Sequence, residues 1–183
     1  MPALFRTPVV CYRSRTMDVD AAGDFLRTVR PLAGFADADL TELAAPMRER
    51  RLRAGQVLAY EGKPGTEMYF VQAGWLAIVK GVTGGIEQVV ARIPAGEFVG
   101  EMALFDRRPR SATIRAETDA HLLVLDRTAV QVLITVNPAV AAAFLRALSV
   151  EFIARLRRSN QLIAELTCAV LEATGFQVEN AER

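Results

Sequence analysis

The sequence predicts a mainly β fold flanked by helices: a jelly-roll-like β-roll with an N-terminal helical segment and C-terminal helices. Between residues 47 and 126, short runs rich in valine, isoleucine, leucine and aromatic residues are cut by turn residues. The turns recur about every eight to twelve positions, which is typical of all-β sandwiches and barrels. On both sides of this region, apolar residues recur three or four positions apart, which is the spacing of amphipathic helices.

The N-terminal part is predicted to hold an arm and two helices. Residues 1–18 show no sustained period and are expected to form a loose arm, in which Met17 is a second candidate for the start of the protein. A helical segment is expected over residues 19–46. Its helices are Asp18–Val29 and Asp37–Ala45. Asp37 is the expected cap of the second helix, because aspartate favours the N-cap position.

Seven strands are predicted in the β-roll, residues 47–126. They cover Met47–Arg53, Val57–Tyr60, Met68–Gln72, Trp75–Lys80, Glu87–Ile93, Ser111–Ala116 and His121–Leu125. Glycine and proline mark the turns between them, as in Gly62-Lys63-Pro64-Gly65, because these residues adopt the backbone conformations that tight turns require.

Two helices are predicted after the roll, over residues 127–170, with a tail at residues 171–183. The first runs from Arg127 to Val136 and the second from Pro138 to about Leu166. The residue before a proline avoids the helical conformation, and proline suits the first helical turn. The second helix carries an apolar stripe that can cover a ligand, pair with a second copy of the chain, or lie on the roll.

Composition narrows the function classes. With 183 residues and 51% hydrophobic residues, the chain fits one domain with a helical appendage. A net charge of +1 gives no general attraction to nucleic acid or to membranes, so any anion binding must come from a local site. Cys11 and Cys168 are far apart and are interpreted as ordinary thiols in a reducing compartment. Arginines interrupt the apolar residues at the N-terminus, so we expect no secretory signal and a cytoplasmic protein.

The segment Phe98–Ala116, FVGEMALFDRRPRSATIRA, carries the most specific pattern in the chain. Gly100 allows a close approach of the backbone to a ligand, and the short turn that follows leaves N–H groups without partners. Arg110 offers a planar, permanently charged donor that suits a phosphate. Glu101 would repel a phosphate, so its presence indicates a ligand that also donates a hydroxyl. The alternatives are that Gly100 is only a turn glycine, that Glu101 is only a helix-end charge, and that Arg110 is only an exposed loop arginine.

These residues resemble the phosphate-binding cassette of the cyclic nucleotide-binding domain family. The resemblance rests on Gly100-Glu101-Met102-Ala103-Leu104 followed by Pro109-Arg110-Ser111-Ala112-Thr113. It implies that Glu101 holds the ribose 2′-hydroxyl and that Arg110 holds the cyclic phosphate. It further implies a ligand-binding role for Val99, Gly100, Met102, Ala103, Ser111 and Ala112, mainly through backbone N–H groups.

The resemblance also implies how such a module works. The ligand is cAMP, with cGMP as the alternative, and no other cofactor or metal is expected. The C-terminal helix is a lid and a dimer contact, and a residue on it caps the base: Arg155, Arg158 or Leu162. Ligand binding repositions this helix and signals to a protein effector. Too few residues follow Leu166 for a helix-turn-helix module, so direct DNA binding is not expected.

Two other classes are considered. The first is a dimerisation or protein-interaction module of the same fold with weak or lost ligand dependence. The second is an enzyme, which we do not expect, because the sequence shows no paired carboxylates, no Ser/His/Asp set and no metal-binding cluster. His121 is the only histidine and cannot form such a site alone. Haem sensors related to this family exist, and His121 is the candidate ligand for that variant.

Overall fold

The computed structural model describes residues 17–174. The helices are α1 (Val19–Thr28), α2 (Asp37–Ala44), α3 (Met102–Phe105), α4 (Arg127–Val136) and α5 (Pro138–Ala173). The strands are β1 (Arg48–Leu52), β2 (Val57–Ala59), β3 (Glu67–Ala73), β4 (Trp75–Gly81), β5 (Glu87–Pro94), β6 (Phe98–Val99), β7 (Thr113–Ala116) and β8 (Ala120–Asp126). Short 3₁₀ turns cover Arg30–Leu32 and Thr83–Gly85.

The strands form two four-stranded antiparallel sheets that face each other. One sheet has the order β1-β8-β3-β6 and the other the order β2-β7-β4-β5. Apolar side chains from both sheets fill the space between them, including Val71, Leu76, Ile114 and Leu122. This is the predicted β-roll with flanking helices, so the predicted fold class is confirmed.

The helices pack on the outer face of the sheet that contains β3 and β8. Successive side chains of a strand point to opposite faces. Tyr69 and Val71 therefore lie inside the roll, while Phe70 packs in the helical layer. That layer is closed by Leu26, Leu40, Phe144 and Leu148, which are all fully or almost fully buried. The central strands are thus covered on both faces, by the roll on one side and by α1, α2, α4 and α5 on the other.

Side-chain caps determine where three of the helices begin. Asp18 accepts the N–H groups of Asp20 and Ala21 before α1, Asp126 accepts Thr128 N before α4, and Asn137 accepts Val140 N before α5. The predicted cap at Asp37 is wrong. Ala36 occupies the N-cap position without a side-chain bond, and Asp37 is the first helical residue, where its carboxylate pairs with Arg27.

The predicted elements match the structure with two main differences. All seven predicted strands are present with ends shifted by one or two residues, but the short strand β6 was not predicted. Helix α5 begins at Pro138 as predicted and continues past Leu166 to Ala173, so the start of the expected tail is helical. Most of the expected arm and the remainder of the expected tail lie outside the described residues. Within residues 17–174, no helix is both long and apolar enough to span a membrane.

Candidate functional site

The turn between β6 and α3 depends on Gly100. Its φ is 83°, in the left-handed region that favours glycine. A Cβ at this position would lie 2.7 Å from Arg110 Nη1 and 3.1 Å from Glu67 O, so there is also no room for a side chain. The Gly100 carbonyl oxygen accepts the N–H of Ala103 at 3.1 Å. The Ala103 N–H that the resemblance assigns to a ligand is therefore already used within the loop.

All eight predicted ligand-binding residues border one pocket. They are Val99, Gly100, Glu101, Met102, Ala103, Arg110, Ser111 and Ala112. The rest of the lining was not predicted as such and consists of Ile78 of β4, Ile114 of β7, and Asp106, Arg108 and Pro109 of the intervening loop. The pocket lining combines apolar residues, including Ile78 and Ile114, with the charged residues Glu101, Asp106, Arg108 and Arg110.

Arg110 is 9% exposed and its guanidinium is bound mainly by neutral oxygens. Nη1 donates to Gly100 O at 3.1 Å, and Nη2 donates to Glu67 O at 2.7 Å and to the Tyr69 hydroxyl at 3.3 Å. Nε is buried and has no hydrogen-bond partner among the described residues. A buried cation with a free donor is costly unless an anion compensates it. Arg110 therefore fits an anionic group in the pocket.

Two backbone hydrogen bonds fix Arg110 against the loop between β2 and β3. Arg110 N donates to Lys63 O at 2.8 Å, and Gly62 N donates to Arg110 O at 2.9 Å. The arginine is therefore part of an ordered backbone contact and is not a free loop residue.

Glu101 is 7% exposed, although it stands at the N-cap position of α3. Its side chain makes no capping bond; instead Oε1 lies 3.4 Å from Nη1 of Arg155 on α5. Burial raises the pKa of Glu101, while the charges of Arg155 and Arg110 oppose the rise. A buried carboxylate with one long ion pair has room to accept a further hydrogen bond, which a ligand hydroxyl can supply.

The three candidate base caps on α5 do not border the pocket in this conformation. Arg155 lies with Cζ 4.7 Å from the Phe98 ring centroid, and its Nη2 donates to Phe98 O at 3.1 Å. Arg155 and Arg158 both pair with the buried carboxylate of Glu151, at 3.2 and 3.0 Å. Leu162 is 55% exposed. Both arginines are thus engaged by Glu151, and Arg155 reaches the pocket only through its contact with Glu101.

Two further basic residues hold the segment in place and were not predicted to do so. Arg127, the first residue of α4, donates from Nε to Ala103 O at 2.7 Å and from Nη2 to Asp106 O. Lys80 at the end of β4 donates to Ser111 O at 2.7 Å and pairs with Glu61. The C-terminal end of α3 is therefore bonded to α4, and Ser111 is bonded to β4.

His121 lies outside the pocket. It pairs in register with Arg51 of β1, and its Nε2 lies 3.1 Å from Glu49 Oε2. Within residues 17–174, no group of three or more histidine, cysteine, aspartate or glutamate residues is arranged to hold a metal ion.

Comparison with known proteins identifies one domain family over this part of the chain. Residues 49–137 match the family model described as "Cyclic nucleotide-binding domain". The chain belongs to the cyclic nucleotide-binding domain family. The match covers the roll, the whole segment from Phe98 to Ala116 and helix α4. Members of this family are ligand-binding regulatory domains, which agrees with a pocket that carries a cation and a carboxylate.

Individual family members show how this domain is used elsewhere. A cyclic nucleotide-gated potassium channel of Mesorhizobium japonicum is 34% identical over 67% of this chain and 34% of the channel. A CRP-like cAMP-activated global transcriptional regulator of Mycobacterium tuberculosis is 29% identical over 72% of this chain and 55% of the regulator. The chain therefore spans about a third and about half of the lengths of these curated relatives.

Solved structures agree on the fold. A cyclic nucleotide-binding domain from Methylobacillus flagellatus superposes with a TM-score of 0.72 at 24% identity, covering 79% of this chain and 85% of that chain. This similarity supports the roll and its flanking helices as one architecture.

Proposed function

We propose that this chain is a regulatory module that binds a cyclic nucleotide, with cAMP as the first candidate and cGMP as the second. The proposed activity is binding without catalysis, and a cytoplasmic location stays a prediction. One observation supports the proposal most: a buried arginine and a buried carboxylate border the same pocket. A ribose whose hydroxyl lies beside its own phosphodiester offers a partner to each of them.

In this proposal Arg110 binds the cyclic phosphate. Its guanidinium already makes three hydrogen bonds to the protein, and the phosphate accepts from donors that remain. The positive charge is permanent, so phosphate binding needs no change of protonation. In this proposal the backbone N–H groups of Gly100, Met102, Ser111 and Ala112 add donors, whereas Ala103 N is already bonded to Gly100 O.

Glu101 binds the ribose hydroxyl in the same proposal. The hydroxyl donates to the carboxylate and competes with Arg155, whose 3.4 Å contact is long for a charge-assisted hydrogen bond. Similarity to known proteins supports both candidates, because the relatives include a cAMP-activated regulator and a cGMP-dependent protein kinase. In the bound state we place Arg155, Arg158 or Leu162 over the base, which requires α5 to move from its present position.

Signalling follows from the contact between Glu101 and α5. Arg155 bridges Glu101 of the pocket and Glu151 of its own helix, and Glu151 also pairs with Arg30 of the N-terminal helical segment. A ligand hydroxyl that takes over Glu101 weakens one end of this network. The population then shifts toward a state in which α5 has changed its position.

The alternative function is dimerisation or protein interaction without strong ligand dependence. Exposed apolar residues in the C-terminal half of α5 favour it. Leu156, Ile163, Leu166 and Val170 are each more than half exposed, and their seven-, three- and four-residue spacing is that of a coiled-coil stripe. The proposal of a cyclic nucleotide-binding module also includes a homodimer, in which a second copy of the chain covers this stripe. The unknown effector is a further candidate for the same surface.

The test is calorimetric titration of the full chain with cAMP, cGMP and AMP. We expect Arg110→Ala to weaken binding of the cyclic nucleotide by about 2–5 kcal/mol, the range for truncating one partner of a buried charged pair. Arg107→Ala is the matched control, since this neighbouring arginine is exposed. Equal affinities for the wild type and Arg110→Ala would remove the phosphate assignment. A melting temperature that saturating cAMP and cGMP leave unchanged would favour the alternative.

A further inference from the structure

The guanidinium of Arg110 is held by residues that lie outside the segment from Phe98 to Ala116. Its Nη2 bonds to Glu67 O and to the Tyr69 hydroxyl, and both residues belong to β3. Gly65, in the loop before β3, approaches the same guanidinium closely. We propose that Tyr69 and Gly65 are positioning residues that fix Arg110 for an anionic ligand, a proposal that rests on the proposed function.

The Tyr69 hydroxyl is the centre of a polar chain. It accepts from Arg110 Nη2 at 3.3 Å and donates to Glu67 Oε2 at 2.9 Å, and the other oxygen of Glu67 pairs with Arg48. The hydroxyl can accept from Arg110 and donate to Glu67 at the same time only while it is protonated. Burial and the Glu67 charge raise the pKa of Tyr69 to about 12, so the proton stays at this oxygen at any physiological pH.

The Tyr69 ring adds a second contact to Arg110. Arg110 Cζ lies 5.5 Å from the ring centroid, within the range of a cation–π interaction. The ring itself is 2% exposed and packs in the interior of the roll. A rigid core side chain therefore supports a long and otherwise flexible arginine.

Gly65 leaves the space that the guanidinium occupies. A Cβ on Gly65 would lie 2.2 Å from Arg110 Nε, 2.6 Å from Cζ and 2.7 Å from Nη2. Real Cβ atoms do not approach other atoms so closely, so any side chain at this position displaces the arginine. The backbone of Gly65 does not require glycine for its dihedral angles, since its φ is not positive. Space for Arg110 is therefore what glycine provides here.

A fixed arginine makes ligand binding stronger. An arginine loses side-chain freedom when it binds, and this cost is reduced when the protein already holds the guanidinium in place. Two residues distant from Arg110 in the sequence thereby contribute to affinity without touching the ligand.

The experiment compares the full-length wild type with Tyr69→Phe and Gly65→Ala in cAMP titrations. Tyr69→Phe keeps the ring and removes only the hydroxyl, so we expect binding on the order of tenfold weaker. Gly65→Ala should weaken binding at least as much, because its Cβ displaces the whole guanidinium of Arg110. Tyr60→Phe and Gly34→Ala are the matched controls, since Tyr60 is exposed and a Cβ on Gly34 meets nothing within 4 Å.

Two readouts separate positioning from general damage to the fold. In an Arg110→Ala background, Tyr69→Phe should cause no further loss of affinity, because its effect passes through the arginine. In the ligand-free protein, ¹⁵N spectra of the arginine side chains should show restricted Nη rotation of Arg110 in the wild type and free rotation in Tyr69→Phe. Melting temperatures of all variants identify any that fail to fold.

The outcomes decide the positioning proposal independently of the proposed function. If the wild type binds cAMP and both variants bind it equally well, the positioning proposal is overturned and the proposed function stands. If the wild type binds neither cAMP nor cGMP, the proposed function fails, and the ligand-free spectra alone decide the positioning role. If the Arg110 signals are identical in the wild type and in Tyr69→Phe, the positioning proposal is overturned whether or not the wild type binds a cyclic nucleotide.

Discussion

Glu101 should give ligand binding a pH dependence whose sign follows from its surroundings. Burial raises the pKa of Glu101 above its ordinary value of 4.5. A ribose hydroxyl binds the ionised carboxylate more strongly than the protonated one, so binding releases a proton in the pH range between the pKa of Glu101 in the complex and its raised pKa in the free protein. We expect the affinity for cAMP to fall as the pH is lowered through this range, by at most about tenfold per pH unit, or about 1.36 kcal/mol for one proton.

The same carboxylate acts on the stability of the unliganded protein with the opposite sign. Because the pKa of Glu101 is higher in the folded than in the unfolded state, the folded protein holds the proton more tightly. Its contribution to the free energy of unfolding is complete below pH 4.5 and is lost as the pH rises through the raised pKa. As the pH rises through the raised pKa of the free protein, the affinity therefore increases while this contribution to stability disappears.

Glu101→Gln isolates both effects. The amide keeps the size of the side chain but cannot ionise, and it replaces a charge-assisted hydrogen bond worth about 1.5–3 kcal/mol, so binding should weaken about 10- to 150-fold at neutral pH. Titration calorimetry in buffers of different ionisation enthalpy measures affinity and proton release together. Glu97→Gln, at an exposed position, is the control. A Glu101→Gln protein with the affinity and pH slope of the wild type would refute the reasoning.

Three further predictions concern the fold and the helical surface. Gly100→Ala should lower the free energy of unfolding by about 1–3 kcal/mol in urea titrations, because of its positive φ and the 2.7 Å approach to Arg110; Gly34→Ala should not. Leu148→Ala, at a 1% exposed position of α5, should cost about 2–5 kcal/mol in the same assay, and a loss below about 1 kcal/mol would contradict its place in the helical layer. Ile163→Glu, at a 62% exposed position, should leave monomer stability unchanged and shift any dimer to monomer in sedimentation velocity; a persistent dimer would exclude the α5 stripe as its contact.

The fold class was predictable because it depends on local signals repeated many times. Turn residues between short apolar runs marked seven of the eight strands, and Pro138 marked the start of α5. Strand β6 was not predictable in this way. It consists of Phe98 and Val99 only and exists through pairing with Phe70 and Tyr69 of β3, which are distant in the sequence. Two residues are too few to show a period.

The candidate pocket was predictable to the extent that it is contiguous in the sequence. All eight proposed residues lie between Val99 and Ala112, and all of them border one pocket. The partners of these residues lie elsewhere: Arg155 is 54 residues away from Glu101, and Tyr69 is 41 residues away from Arg110. No local pattern connects such pairs, since only the folded arrangement of β3 and α5 brings them together. The length of α5 was underestimated, although apolar positions continue to Val170 at helical spacing.

Strand β3 is buried on both faces and therefore contacts both the arginine of the pocket and the helical layer. Tyr69 touches the arginine of the pocket, and the next residue, Phe70, is embedded among the helices on the far side of the same sheet. Close-packed interiors transmit strain between neighbours. We propose that a displacement of the helices reaches the pocket across the width of this single strand, and that ligand binding reaches the helices by the same route.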